Sequence, residues 1–236
     1  MTVPLSGKNI LEGWQKAVNC LMNNKKAVYN LILTIEEPEI VNEAWIQQHD
    51  PKKIKNKTKS IMDVANTIFP DKIMQKSSSR LDFYERYKKI HQRSWNPKGW
   101  GTYFLRLISF GQKNINQLEV IISKLKDWER NPKGALVFHL SSPETDKPRP
   151  RGGPCWQFGE LCCNEGKVDF VVVYRNHDYF EKALGNFIAL SKLLSFICRE
   201  SEKIPGKLVC HSVRAYFDET IPDMEKLRNG FQPKII

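Results

Sequence analysis

Apolar positions recur with two different periods along the chain, and the change from one to the other divides it into halves. In residues 10–22, Ile10, Leu11, Trp14, Ala17, Val18, Leu21 and Met22 share one stripe at helical spacing, which predicts an amphipathic helix packed on an apolar surface. Residues 28–35 are β-branched and aliphatic and stop at Glu36-Glu37-Pro38, so they predict a strand. Pro38 suits the first turn of a following helix that carries Ile40, Val41, Ala44, Trp45 and Ile46. Residues 80–93 and 101–110 predict helices split by Asn96-Pro97-Lys98-Gly99, and 115–125 predicts another before the turn Asn131-Pro132-Lys133-Gly134. Residues 50–79 are polar and predict a long loop or insertion with one short helix over 61–69.

Beyond residue 134 the period shortens to two. Residues 135–140, 155–163, 168–174 and 208–217 predict strands, separated by turns at 148–154, Asn164-Glu165-Gly166 and Pro205-Gly206. A long apolar helix, 187–198, lies between the last two. Helices first, then a strand-rich half around one long helix, predict an α+β fold, with residues 1–236 as a single domain.

Composition narrows the partners. The chain has 236 residues, 41% hydrophobic, with six Trp, which is enough to build a core. A formal net charge of +11 favours an anionic partner: nucleic acid, an acidic lipid surface or a phosphorylated metabolite. The densest positive run, over residues 52–59, has no interleaved aromatics, so base stacking has nothing to use and nucleic acid is not favoured. The apolar run 170–174 is too short to cross a bilayer, and the N-terminus lacks an apolar signal core, so a soluble cytoplasmic protein without a membrane partner is expected. Six irregularly spaced Cys without a CxxC pair read as reduced thiols, and no metal site is expected.

Candidate chemistry concentrates in Gly153-Pro154-Cys155, Gly166-Lys167, Tyr174-Arg175-Asn176-His177-Asp178 and Gly185-Asn186. A Pro-Cys pair opening a strand, a Gly-Lys turn, then an Arg, an Asp and an Asn eight residues beyond it resemble the thymidylate synthase family, including its pyrimidine hydroxymethylase branch and short archaeal-type members. Tyr103-Phe104-Leu105-Arg106, Asn116-Gln117-Leu118, Asn131-Pro132-Lys133 and His211-Ser212-Val213-Arg214-Ala215-Tyr216 resemble further segments of that family, in order, so that the likeness covers about residues 100–217.

The resemblance implies a thymidylate-synthase-like α+β fold, a mixed sheet with a long central helix, and a homodimer formed through the sheet. It implies methylation or hydroxymethylation of C5 of a uridine-type nucleotide, with 5,10-methylenetetrahydrofolate as one-carbon donor. C5 of uracil becomes nucleophilic only after a thiolate adds at C6, and cysteine supplies that thiolate when a nearby cation lowers its pKa. By family position Cys155 is the nucleophile, Arg175 the cation and phosphate ligand, Asn186 the reader of the base, Asp178 the holder of the pterin, and Tyr216 a contact to the sugar. Lys133 stands where the family has a phosphate-binding arginine pair. Asn176 replaces a Ser, and Arg214 replaces a sugar-facing His, which suggests either a more highly charged substrate or an ion pair with Asp218 or Glu219. Glu36, Glu37 and Trp45 are candidates for the family's glutamate and folate-facing tryptophan. His177 and His211 read as surface or satisfied core residues, and Trp156 as core. The alternative is a divergent member that binds a nucleotide or nucleic acid without turnover.

Overall fold

A computed structural model of the chain describes residues 2–39, 43–93, 99–127, 136–144, 146 and 153–230. The first half runs β1 (Val3–Gly7), α1 (Ile10–Asn23), β2 (Ala27–Ile35), α2 (Glu43–Gln48), α3 (Ile61–Ala65) and α4 (Asp71–Gln75). Three further helices follow: α5 (Arg80–Arg93), α6 (Tyr103–Ile108) and α7 (Gln117–Lys126). The second half holds β3 (Val137–His139), β4 (Trp156–Asn164), β5 (Lys167–Tyr174), β6 (His177–Asp178), α8 (Ala183–Ser201), β7 (Ile204–Tyr216) and α9 (Ile221–Asn229).

The strands form one mixed sheet in the order β1-β2-β7-β5-β4-β3, with β6 also on β7. Pairing is parallel for β1·β2 and β5·β7, and antiparallel for β2·β7, β4·β5 and β3·β4. The two parallel pairs each need a crossover, supplied by α1 and by α8. The α+β class, the mixed sheet and the long helix agree with the sequence reading.

One sheet face is buried under helices. Leu31, Leu33, Ile35, Phe170, Val172, Leu208 and Cys210 are buried, and their registers place them side by side. Helix α8 is buried almost all round, through Leu190, Leu193, Leu194 and Ile197 among others, so its sequence shows a long apolar run rather than a stripe. Each such leucine contributes roughly 1.5–3 kcal/mol of hydrophobic stabilisation. Phe69, Phe83, Phe104 and Phe196 close the core beside it, with ring centroids 4.8–6.2 Å apart. On the opposite face Ile32, Val171, Val173 and Val209 are only half-buried, and Tyr29 and Val213 are exposed.

Several boundaries differ from the sequence reading for identifiable reasons. Strand β1 is interrupted by Pro4 and Ser6, which hides its alternation; as an edge strand it tolerates the proline. Helix α9 buries only Met224 and Leu227, too few positions to show a period, though Thr220 caps it and Pro222 sits in its first turn. Residues 50–79 hold more structure than the expected loop: a 3-10 turn at Pro51–Lys53 and both α3 and α4. Ser60 and Asp63 cap α3 reciprocally, and Ile61, Val64, Ala65, Ile68 and Phe69 are buried. Ile40 and Val41 fall outside the described residues, and the helix expected after Pro38 is seen as α2.

Helix α3 approaches the start of α8 closely at Gly185. A Cβ there would stand 2.7 Å from the Ile61 carbonyl oxygen and 2.9 Å from Val64 Cβ, an overlap that costs about 1–3 kcal/mol in a packed interior. The absent side chain therefore lets α3 close over the first turn of α8.

Candidate functional site

Residue pairing brings the candidate chemistry to one end of the sheet. Strand β5 runs beside β7 until Tyr174 faces Ser212, and the chain then leaves the ladder for two residues, Arg175 and Asn176. It rejoins as β6, with His177 opposite Ala215 and Asp178 opposite Tyr216. Antiparallel β4 starts at the same level, Trp156 facing Tyr174, and the Arg175 N–H donates to the Cys155 carbonyl at 2.9 Å. Helix α8 begins five residues after Asp178, so Asn186 lies in its first turn.

These ends enclose a cavity of about 450 Å³. Cys155, Asp178, Asn186 and Tyr216 all line it, together with Tyr174, Asn176 and His177. Helix α3 and its flanks contribute Lys59, Val64 and Thr67 to the wall, and the entry to α6 contributes Trp100, Thr102 and Tyr103. Lys182 completes the charged rim. Arg175 and Arg214 do not line the cavity.

The half-buried Cys155 is held from both sides. Its N–H donates to the Tyr103 hydroxyl at 3.1 Å, as does that of Trp156 at 3.3 Å. Arg175 Nε donates to the Pro154 carbonyl at 3.2 Å. Burial pushes the Cys155 thiol above its ordinary pKa, while the charge and hydrogen bond of Arg175 pull it down, and burial wins. The thiol is therefore protonated near neutral pH. Burial also raises Tyr103 to about 12, which keeps its hydroxyl protonated.

Asp178 Oδ1 accepts the N–H groups of Phe180 and Glu181 at 2.9 and 3.1 Å. Burial raises its pKa and those two bonds oppose the rise. His177 is buried, stacks on Tyr174 with centroids 4.1 Å apart and planes at 6°, and meets Ser212 Oγ through Nδ1 at 3.0 Å. Burial depresses it to about 3, so the ring is neutral.

Other expected residues lie elsewhere. Arg214 donates to Asn176 Oδ1 at 3.0 Å and sits 4.1 Å from the Tyr216 ring centroid, while Glu219 pairs with Lys55. Of the two readings of Arg214, the ion pair with Asp218 or Glu219 is not seen among the described residues; an amide and an aromatic face take its place. Glu36 bonds Lys207 and Ser6 on the surface, and neither it, Glu37 nor Trp45 lines the cavity. Among the described residues Trp100 is the tryptophan and Asp178 the carboxylate that line the cavity. Lys133 lies outside the described residues. Trp156 is fully buried, as expected for core. His177 is a satisfied interior residue that nonetheless faces the cavity, while His211 is half-buried against Asn30.

Two motif residues hold the site from outside. Arg106 forks onto Asp146 at 2.5 and 2.6 Å and donates to the Leu140 carbonyl at 2.7 Å. The Gln117 amide bridges the Arg106 and His139 backbones at 2.8–2.9 Å. This geometry fixes the stretch leaving β3, upstream of Cys155, against α6 and α7.

Known proteins show the same likeness along nearly the whole chain. The sequence is 22% identical over 228 residues, 96% of this chain and 94% of the relative, to the "Putative thymidylate synthase" of Methanosarcina acetivorans. It is 23% identical over 218 residues, 92% and 90% of the two chains, to the protein of the same name from Methanosarcina barkeri. No family model matches. Both alignments reach well before residue 100, where the motifs begin, and so include β2 and α3.

Sequence reasoning did not single out Lys59, Val64, Thr67, Trp100, Thr102 or Lys182 as site residues. They come from the short helix α3 and from helix flanks, where the local signal is at most ordinary capping, such as Thr102 at the start of α6. Among the described residues no group of three or more His, Cys, Asp and Glu is placed to hold a metal, and no helix is long and apolar enough to cross a membrane.

The opposing influences on Cys155 make a measurable prediction. Its alkylation by iodoacetamide, followed by peptide mass mapping, should accelerate as pH rises towards and past 9, because only the thiolate reacts. Arg175→Ala removes the one pull downwards, so alkylation at pH 8 should slow several-fold. An unchanged rate would show that Arg175 does not act on the thiol.

Proposed function

We propose that this protein transfers a one-carbon unit from a reduced folate to C5 of a uridine-type nucleotide, through a covalent bond between Cys155 and C6 of the ring. The observation that carries this reading is the common cavity of Cys155, Asp178, Asn186 and Tyr216. It occurs in a chain matched over more than nine-tenths of its length by proteins named for thymidylate synthesis.

The residues divide the chemistry among them. Cys155 loses its proton and its sulfur bonds C6, while the C5=C6 electron pair moves towards O4 to give an enolate that is nucleophilic at C5. Asn186 hydrogen-bonds the N3 and O4 edge, where the enolate charge develops. Arg175 binds the nucleotide phosphate in addition to steadying the thiolate, and Tyr216 contacts the sugar. Arg214, bonded to the cavity-lining Asn176, meets further negative charge on the nucleotide. After C5 has gained its substituent and lost its proton, the C6–S bond breaks, the double bond returns and the thiolate is restored.

The cavity also suits the folate. Asp178 commits Oδ1 to two backbone donors, which leaves Oδ2 to accept an N–H of a pterin. Trp100, Val64 and Gly101 give a flat, largely apolar wall. Methylenetetrahydrofolate, when bound, supplies the one-carbon unit and, for a methyl product, the electrons that reduce it. Closure against water decides between methyl and hydroxymethyl.

Two experiments test this. Incubation with 5-fluoro-dUMP and methylenetetrahydrofolate should give a stable covalent adduct on Cys155 by mass spectrometry, because fluorine cannot leave C5 as a proton does; Cys155→Ser should give none. Nucleotide binding with no adduct would replace the transfer reading with binding alone. The half-covered sheet face carrying Ile32, Val171, Val173 and Val209 is the surface on which two copies would pair. Sedimentation velocity should show a dimer that Val173→Asp converts to monomer; a monomeric wild type would remove this arrangement.

A further inference from the structure

The amide of Asn186 is not independent. Its Nδ2 lies 3.1 Å from His177 Nε2, and His177 Nδ1 lies 3.0 Å from Ser212 Oγ. The Tyr179 hydroxyl stands 3.3 Å from the same Ser212 oxygen, and Cys210 Sγ lies 3.8 Å from both His177 Nδ1 and Ser212 Oγ. Asn186, His177, Tyr179, Cys210 and Ser212 are all buried, so this is a closed chain of polar groups reaching from the core to the cavity wall.

Hydrogen-bond inventory gives the chain a direction. A neutral imidazole has one donor and one acceptor nitrogen. With the Asn186 NH2 group donating to Nε2, the ring proton sits on Nδ1 and goes to the Ser212 oxygen, which also shares a hydrogen bond with the Tyr179 hydroxyl. The ring is held in place by packing: Tyr174 stacks on it, and Phe187 and Tyr179 meet it at 78° and 58°. Burial keeps it from taking a second proton. With one amide N–H given to His177, the amide orientation is fixed: the carboxamide oxygen has no hydrogen-bond partner among the described residues and is left, with the second N–H, for the cavity that Asn186 lines. Reversing the amide would require His177 to carry its proton on Nε2 and Ser212 to donate to Nδ1.

We infer that His177 is the positioning residue that sets the hydrogen-bond polarity of the base-reading edge, holding the Asn186 oxygen towards the ligand so that the cavity prefers a ring N–H, as in uracil, over a bare ring nitrogen, as in cytosine. This deepens the proposed function and rests on Asn186 reading the base. It assigns the discrimination to a buried neighbour that need not touch the nucleotide.

Two measurements on the full chain test it. Long-range proton–nitrogen correlation NMR with 15N-labelled histidine should show the His177 proton on Nδ1. Calorimetric titration should show dUMP binding more tightly than dCMP, and Ser212→Ala, which removes the Nδ1 acceptor, should erode that preference by about ten-fold. If wild type prefers dUMP but His177 is protonated on Nε2, or Ser212→Ala keeps the full preference, the inference is overturned while base reading by Asn186 survives. If wild type binds the two nucleotides alike, or neither, the base-reading role falls and the inference with it. The NMR result stands even if Ser212→Ala fails to fold.

Discussion

The site depends on one ladder, the parallel pairing of β5 with β7, which stops after Tyr174 and resumes at His177. Parallel strands end at the same side of a sheet, and a crossover helix must start there to return the chain. Both consequences are used. The ends of β5 and β7 bring Asp178 opposite Tyr216, and α8 starts just beyond with Asn186 in its first turn. The two residues excluded from the ladder, Arg175 and Asn176, stand beside the start of β4, which is where Cys155 lies.

Packing converts this topology into chemistry. Closing α3 over Gly185 and laying Tyr103 and Trp100 against the other side makes a wall that is mostly apolar. The same desolvation raises Cys155 and Asp178 and silences His177 as a base. Arg175 is the compensating charge for the thiol, and it is exposed, where solvent weakens its effect. A phosphate bound by Arg175 would also replace water around it, so nucleotide binding and the state of the thiol are coupled through one guanidinium.

What was legible in the sequence follows the same physics. Strands β2, β4, β5 and β7 and helices α1, α5, α7 and α8 announce themselves because each buries a face or a long run. The elements that escaped, β1, α4, β6 and α9, bury too few residues or carry a proline. At the site, Cys155, Asp178, Asn186 and Tyr216 could be picked out because their spacing matches a known pattern. Nothing in a linear motif shows that Arg214 turns to Asn176 and Tyr216, or that Glu36 is spent on Lys207. The wall from Lys59 to Thr67 was hidden inside a polar, lysine-rich stretch whose apolar residues mostly serve the core, with Val64 turned to the cavity. For His177 the sequence left surface and satisfied core both open, because its partners depend on pairing across 35 residues of sequence.

The central claim is that the strand ends form a uridine nucleotide site built on Cys155. A crystal structure with dUMP bound tests it most directly. The account predicts the uracil N3–O4 edge on Asn186, C6 facing Cys155 Sγ, and the phosphate on Arg175. A nucleotide bound away from this cavity, or lying in it with C6 turned from the sulfur, would contradict it.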